Sequence, residues 1–361
     1  MNPNERSAQR FFSALVDVCP VASVSHLYLC NQAFNNNHYL ISSMINAGFS
    51  GTLVAARVSI ANSGKLINPE LLVQLNDHPS NNEKADNILL ELTQGREASR
   101  ITIEAALTAI CDTGRLWIFG NQESGIVSVA KRFSNCKTAL YKGHLRLISL
   151  NKDSKYQDKP NKKSKKNTPP PLDSEGFCQI EYKNLPIISR PGVFSWQAVD
   201  SATMLLLDAH QKLGIDPGPK VLDWGCGSGI ISTVLANTWS NSHFTLSDDM
   251  WSAVRCAKKT MEINSLEERS QVIAEDGIGR VLANQKFSTI ISNPPFHRGV
   301  QTDSHATDSF INEGVELLDK KGSFWLVGNR FLNYGRQLAK HLKHVETVAE
   351  NGAFSVIRGW R

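Results

Sequence analysis

Lys220-Val-Leu-Asp223-Trp-Gly225-Cys-Gly227-Ser-Gly229-Ile-Ile231 is the stretch on which the fold turns. Val221 and Leu222 open a short run with the look of a buried strand. Three alternating glycines then turn the chain into an apolar helical pattern. Glycine suits such a turn because the backbone must come close to a ligand and can need φ > 0. About twenty residues further on, His243-Phe-Thr-Leu-Ser-Asp248 reads as a second strand with a carboxylate at its end, placed to accept hydrogen bonds from ribose hydroxyls. Strand, glycine turn, helix, strand and acid in that order predict an α/β unit with a Rossmann-like, mostly parallel sheet and ligands at the carboxyl ends of its strands.

Downstream, Ser288-Thr-Ile-Ile-Ser-Asn293-Pro294-Pro295-Phe296 adds a buried strand that ends in an amine-gripping corner. An exocyclic amine on a base or an amide is a poor nucleophile because its lone pair is delocalised into the π system. Asn293 can accept one amine hydrogen and the Pro294 carbonyl the other, which favours an sp³-like nitrogen aimed at an electrophile. Consecutive prolines make a stiff corner with acceptors and no donors, and Phe296 offers a face for stacking the ring. Taken alone, the run also reads as a strand followed by a Pro-Pro turn. The glycine pattern is Gly-x-Gly-x-Gly rather than the Gly-x-Gly-x-x-Gly of dinucleotide sites, and no P-loop Gly-Lys-Ser/Thr is present. S-adenosylmethionine is therefore the expected cofactor, its sulfonium methyl being the electrophile that an amine site lacks.

With these motifs in place, the C-terminal half resembles the class I methyltransferases, and within them the ribosomal RNA guanine-N2 methyltransferases of the type that modifies 16S RNA of the small subunit. The resemblance is carried by Arg190-Pro-Gly-Val-Phe194-Ser, by Val221 to Gly229, and by Asn293-Pro-Pro-Phe-His297-Arg-Gly-Val-Gln301-Thr. It covers roughly residues 185–361 well and the N-terminal half loosely. The large-subunit relatives share Asn-Pro-Pro-Phe-His but lack the following Gly-x-Gln-Thr. Trp224 departs from the family, which carries a small aliphatic residue there; it either narrows the floor of the cofactor site or packs behind it. The resemblance implies an enzyme that transfers methyl from S-adenosylmethionine to the N2 amine of a guanine, with ribosomal RNA of the small subunit as partner. Large-subunit N2 methylation, adenine-N6 methylation, protein-glutamine methylation and a non-enzymatic RNA-binding assembly factor stand as rival readings.

Gly225, Gly227 and Gly229 let the methionine end of the cofactor lie against backbone. Asp223 binds its amino group, directly or through water, or else serves the turn. Asp248 grips the ribose, while Asp249 reads as the N-cap of the helix starting at Trp251. Asp276 falls where this class places a polar side chain beside the adenine amine, or is a solvent-facing turn residue. Phe194 and Ser195 close the cofactor pocket. Asn293, Pro294 and Phe296 hold the guanine as the catalytic set, with Pro295 and His297 beside it. His297 is either a general base or a residue that positions RNA, and a base is not required because the proton can leave to solvent after transfer. A guanine in folded RNA must leave its stack at a cost of about a few kcal/mol.

The whole chain agrees with such an enzyme. Its 361 residues suggest two domains. No apolar run approaches the roughly 18 residues needed to cross a bilayer. The opening Met1-Asn-Pro-Asn-Glu-Arg-Ser lacks the layout of a secretory signal, and seven cysteines without a Cys-x-x-Cys pair argue against a disulfide framework or a zinc site. The expectation is a reduced, cytoplasmic, monomeric protein with no metal and no membrane partner. Its net charge of +5 does not exclude a polyanion. The charge is uneven: Lys162, Lys163, Lys165 and Lys166 lie in a nearly apolar-free stretch that reads as a solvated linker, or as an arm that touches RNA phosphates. The expected division is 1–150 for a first domain, 151–176 for the linker and 177–361 for the catalytic domain.

The first domain reads as a degenerate copy of the second. Gly114-Arg-Leu-Trp117-Ile-Phe-Gly120-Asn121 matches Gly322-Ser-Phe-Trp325-Leu-Val-Gly328-Asn329 at four of eight positions. Asp86-Asn-Ile-Leu-Leu precedes the first as Ser288-Thr-Ile-Ile-Ser precedes the second, and Gly143-His-Leu-Arg-Leu-Ile answers Gly352-Ala-Phe-Ser-Val-Ile. Glu91-Leu-Thr-Gln stands where the second copy has Asn293-Pro-Pro-Phe, and no glycine turn follows the early strand His26 to Cys30. In the resembling family such a copy supports the catalytic domain and helps hold RNA. In the catalytic half, helices are expected at 198–213, 230–239, 251–263 and 305–318. Strands are expected at 220–224, 243–247, 271–274, 287–292 and 323–327, with an edge hairpin at 345–350 and 353–358.

Overall fold

The alternation of apolar strand-length runs with amphipathic helices is realised twice. A computed structural model describes residues 3–31, 34–79, 84–157, 169–294 and 304–361, and the chain divides into two units, Met1–Pro169 and Pro170–Arg361. In the first, α1 (Pro3–Val18), β1 (Val24–Leu29), α2 (Phe34–Asn46), β2 (Thr52–Ala55), α3 (Val58–Ile67), β3 (Val73–Leu75), β4 (Ala85–Glu91), α4 (Arg96–Ala109), β5 (Ile110–Asn121), α5 (Ile126–Arg132), β6 (Lys137–Lys142) and β7 (Leu145–Asn151) follow one another. They build a seven-stranded sheet in the order β3-β2-β1-β4-β5-β7-β6. This unit runs past residue 150: Tyr156 bridges to Phe133, and Arg96 Nε donates to its hydroxyl at 3.0 Å.

The second unit adds a hairpin of β8 (Cys178–Tyr182) and β9 (Leu185–Ser189). It continues with α6 (Ser201–Leu213), β10 (Lys220–Trp224), α7 (Ile230–Thr238), β11 (His243–Asp248), α8 (Trp251–Ile263), β12 (Ser270–Ala274), β13 (Phe287–Ser292), α9 (Ser304–Leu317), β14 (Leu318–Asn329), α10 (Tyr334–Leu338), β15 (His344–Glu350) and β16 (Phe354–Trp360). Its seven-stranded sheet runs β12-β11-β10-β13-β14-β16-β15, the same order as the first. In each sheet the last hairpin is antiparallel, its inner strand also runs antiparallel to its neighbour (β7 to β5, β16 to β14), and the remaining pairings are parallel. Two differences from the sequence expectation have clear causes. Helix α6 starts at Ser201 rather than 198 because Asp200, extended at φ −68°, caps it by accepting the N–H groups of Ala202 and Thr203. Strand β14 starts at Leu318, five residues early; Asp319, Lys320 and Lys321 are exposed and made the apolar pattern look shorter than the pairing is.

Burial on both faces explains why the central strands are almost wholly apolar. Two apolar layers flank the second sheet, one around Leu206, Val221, Leu246 and Trp325, the other around Leu222, Ile290, Phe324 and Leu338. Trp325 is completely buried, and its Nε1 donates to Ser323 Oγ at 3.1 Å. The corresponding Trp117 Nε1 donates to Asn87 Oδ1 at 3.0 Å. Each ring contributes about 2–3 kcal/mol of burial without an unpaired indole N–H.

Strand register fixes which residues of the two units correspond. Leu89 pairs with Trp117 as Ile291 pairs with Trp325. Two residues further along β4 and β13, Glu91 therefore matches Asn293. Leu27 pairs with Leu89 as Asp223 pairs with Ile291, so Leu27, Leu29 and Asn31 match Asp223, Gly225 and Gly227. By the same reasoning through the neighbouring strand, Ala55 matches Asp248.

Candidate functional site at the carboxyl ends of the second sheet

The glycine turn leaves β10 with its amides already engaged. Gly225 and Cys226 donate to Ser247 O at 2.8 and 3.0 Å, and Gly227 N donates to Asp248 Oδ2 at 2.9 Å. Gly225 and Gly227 have φ of +76° and +55°, where an L side chain is strained, and a Cβ placed on either would meet open space. That combination describes a backbone cradle facing a ligand. Gly229 plays a different part: it is the left-handed N-cap of α7, packed beneath Leu246, Met261 and Ala257.

Asp223 sits under the cradle with no exposed surface. Its Oδ2 accepts from Ser232 N at 3.1 Å and Ser232 Oγ at 2.8 Å, tying β10 to the first turn of α7. Its Oδ1 is buried with no hydrogen-bond partner among the described residues. Burial pushes the carboxyl up to about 7; the Ser232 hydrogen bonds pull the other way, and the charge of Asp248 adds to the rise. Asp248 ends β11, half-buried, and divides its carboxylate between Gly227 N and Met250 N, the latter at 2.8 Å. The cap position of α8 is Met250, with no side-chain cap bond, not Asp249 as the sequence suggested. Asp276 lies exposed in the bend after β12. Its buried neighbour Glu275 holds that bend by accepting Val281 N and Leu282 N at 2.6 and 3.2 Å. Phe194 is half exposed, and Ser195 beside it has φ +51°.

The amine corner lies one strand across. Ser292 Oγ donates to Trp224 O at 2.5 Å, so the residues just before Asn293 and Gly225 are bonded to each other. Asn293 Nδ2 donates to Thr203 Oγ1 at 2.9 Å and to Asp200 Oδ2 at 3.2 Å. A carboxylate can only accept, so the amide NH₂ must face Asp200 and the carbonyl must face away. Asn293 Oδ1 is left buried and without a partner among the described residues. It is an oriented acceptor waiting for a donor. Pro294 follows it, buried. Pro295, Phe296 and His297 lie outside the described residues, as do Lys162, Lys163, Lys165 and Lys166.

Two participants escaped the sequence reading, Asp200 and Thr203. Their only local signal was an Asp-x-x-Thr ahead of an apolar helix, which marks an N-cap and gives no hint that the same carboxylate holds a side chain 93 residues away. Trp224 packs behind the site: it stacks on Phe310 with ring centroids 4.1 Å apart and joins the core layer of Leu222 and Phe324.

S-adenosylmethionine fits these residues on structural grounds. A strained two-glycine cradle opens onto empty space, a carboxylate ends the adjacent strand, and the buried Asn293 Oδ1 has no partner among the described residues. Among the described residues no helix is long and apolar enough to cross a membrane.

A family model described as the methyltransferase small domain matches residues 184–358. Among curated relatives, ribosomal RNA small subunit methyltransferase C of Stutzerimonas stutzeri (strain A1501) is 38% identical over 177 residues, 49% of this chain and 51% of that protein. That alignment spans about half the relative's length. The proteins of the same name from Pseudomonas aeruginosa (strain UCBPP-PA14) and Pseudomonas entomophila (strain L48) are each 32% identical, over 74% and 76% of this chain and 77% and 79% of theirs. Among solved structures, a T. Thermophilus 16S rRNA N2 G1207 methyltransferase in complex with AdoMet and guanosine aligns over 100% of this chain and 92% of that chain, with TM-score 0.77 and 22% identity. This likeness shows the Rossmann-like, duplicated methyltransferase fold.

Proposed function

Because this chain belongs to the family of ribosomal RNA small subunit methyltransferase C, we propose that it methylates the exocyclic N2 amine of a guanine in 16S ribosomal RNA, using S-adenosylmethionine. The observation that carries this reading is the partnerless Asn293 carbonyl, fixed in direction by Asp200 and Thr203. S-adenosylmethionine supplies an electrophilic methyl when bound. Gly225 and Gly227 hold its methionine end against backbone, Asp248 takes the ribose hydroxyls, Asp276 stands beside the adenine amine, and Phe194 helps close the pocket. Asp223, sealed from the surface, acts from beneath by fixing the turn.

Asn293 Oδ1 accepts one N–H of the guanine amine and the Pro294 carbonyl the other, so that the nitrogen lone pair leaves the ring system. Because the acceptor is already oriented, little reorganisation is needed as positive charge develops on that nitrogen. Phe296 is assigned the stacking of the base, and Pro295 and His297 a part in substrate binding, on the resemblance to the family. The lysines at 162–166 add phosphate contacts that carry no sequence information. The reading extends to a cytoplasmic monomer that needs no metal and acts on the small subunit.

The test is transfer of labelled methyl to unmodified small subunits, large subunits, free ribosomal RNAs and transfer RNA, with nucleoside analysis of the product. N2-methylguanosine in the small-subunit RNA is the expected result. N6-methyladenosine, or label in protein alone, would overturn the reaction while leaving the fold intact.

A further inference from the structure

The hairpin that closes the first sheet differs in chemistry from the one that closes the second, although both occupy the same place in the fold. Residues 137–151 carry Lys137, Lys142 and Arg146 with no carboxylate, whereas 344–360 carry Glu346 and Glu350 against the single cation Arg358. In the second hairpin the cation is engaged, Arg358 lying 3.4 Å from Glu346. In the first, Tyr141 stands directly opposite Arg146 in the strand pairing, and the Arg146 guanidinium lies 4.6 Å from the centre of the Tyr141 ring. Tyr141 is nevertheless 60% exposed. Lys137 pairs with Ser149 and Lys142 with Leu145, so side-chain alternation puts the two lysines on the face opposite Tyr141 and Arg146.

The ribbon is thus basic on both faces. Its turn is stiff: Gly143 and His144 both have positive φ, +57° and +69°, the two-residue geometry that matches strand twist. Ser7 Oγ of α1 donates to Gly143 O at 3.1 Å, which brings α1, with its exposed Arg6 and Arg10, against this turn. Lysines alone on an edge strand are accounted for by protection against strand addition. An exposed tyrosine stacked by an arginine is not, because it adds apolar surface at the edge that the charges protect.

We propose that the β6–β7 hairpin of the first unit is an RNA-binding surface, with Tyr141 and Arg146 stacking an unpaired base and Lys137, Lys142 and the arginines of α1 taking phosphates. This rests on the reading of the protein as a ribosomal RNA methyltransferase and adds where the substrate is held. In the first unit the carboxyl-end ligand place is closed by Glu91, whose Oε2 accepts Cys30 N and Asn31 N at 2.9 and 3.0 Å. The hairpin keeps that unit in use by a different route.

The experiment compares full-length wild type with the triple variant Tyr141→Ala/Lys142→Glu/Arg146→Glu, with Tyr141→Phe as a conservative control and with Arg146→Lys, which separates charge from stacking. Binding to free 16S ribosomal RNA is measured across a salt series, together with cofactor affinity and thermal unfolding. The triple variant is expected to bind RNA at least about tenfold more weakly, with a shallower dependence of log K on log salt by roughly one, for the phosphate contact assigned to Lys142. Cofactor affinity and unfolding temperature should stay at wild-type values; Tyr141→Phe should bind within about twofold of wild type, and Arg146→Lys, which keeps the charge and loses the planar stack, should bind more weakly with an unchanged salt slope. Wild-type RNA affinity and salt slope in the triple variant would overturn the proposal. So would a defect seen only with assembled subunits and not with free RNA, which would assign the hairpin to a protein partner. Failure of wild type itself to form N2-methylguanosine would count against the enzymatic reading and not against the hairpin.

Discussion

The two units share one strand order and a buried tryptophan at the same register, yet β10 of the second, and not the matching β1 of the first, ends in a glycine turn of positive φ that opens onto empty space. Five differences between them stand out, all near the carboxyl ends of the strands. Asp223, Gly225, Gly227, Asp248 and Asn293 of the second unit correspond in register to Leu27, Leu29, Asn31, Ala55 and Glu91 of the first. In the second unit the turn presents strained backbone to open space and leaves buried oxygens unpaired. In the first, a leucine replaces the buried acid, and Glu91 Oε2 accepts the two turn amides Cys30 N and Asn31 N. What a working site holds at a cost, the retired one has converted into ordinary packing and satisfied hydrogen bonds.

The largest expected effect sharpens that cost. Asp223 is held at about 7 against an ordinary 3.8, so between those pH values the unfolded chain releases a proton that the folded chain keeps. Stability therefore falls as pH rises through this window, by up to roughly 4 kcal/mol. His210, 1% exposed with both ring nitrogens unpartnered and tilted against Trp325, has the opposite sign. Burial, with the charge of Arg358 adding, lowers it from 6.5 to about 4, so stability is lost as pH falls from 6.5 toward 4, by roughly 3 kcal/mol. The two effects oppose each other over the pH range they share. Asp223→Asn should expose the acid-side loss alone, and His210→Phe the loss with rising pH alone. Denaturant unfolding at pH 4.5, 5.5 and 7.5 checks both, and parallel profiles for the two variants would contradict the assignment.

Asn293→Ala removes the oriented acceptor. Single-turnover methyl transfer should slow by roughly 10²–10³, with cofactor affinity unchanged; undiminished turnover breaks the comparison at its most important position. Thr203→Val leaves Asn293 in place but deprives its NH₂ of one of two acceptors. A fall of about tenfold in kcat, with KM for RNA unchanged and recovery in Thr203→Ser, is expected of a positioning role. Gly227→Ala puts a methyl where the ligand is expected and strains a residue at φ +55°, which should weaken cofactor binding about tenfold or more. The matching Asn31→Ala in the first unit should leave cofactor affinity as it is.

Features written in contiguous residues were legible from the sequence. The glycine turn, the acid ending β11 and the Asn-Pro corner each declare themselves within a dozen residues, and strands buried on both faces announce themselves as apolar runs. Alternation pointed to a mostly parallel sheet and the duplicated segments to its repetition, but the strand order itself is visible only in the folded chain. Contacts across the fold did not show in that way. Asp200 reads as a helix cap and is one, but its hold on Asn293 depends on where α6 lies over β13. Asp223 looked like a ligand-facing residue because of its neighbours, and only the folded chain shows it sealed and bonded to Ser232. Glu91 registered in the sequence as lost chemistry, when its carboxylate has taken up a structural role that no pattern encodes.

The most direct test is the cofactor stoichiometry of the full chain, measured by calorimetric titration with S-adenosylhomocysteine for wild type, Gly227→Ala and Asn31→Ala. The account predicts one site per chain, weakened by Gly227→Ala and untouched by Asn31→Ala. Two sites per chain, or a single site that responds to Asn31→Ala and not to Gly227→Ala, would contradict it.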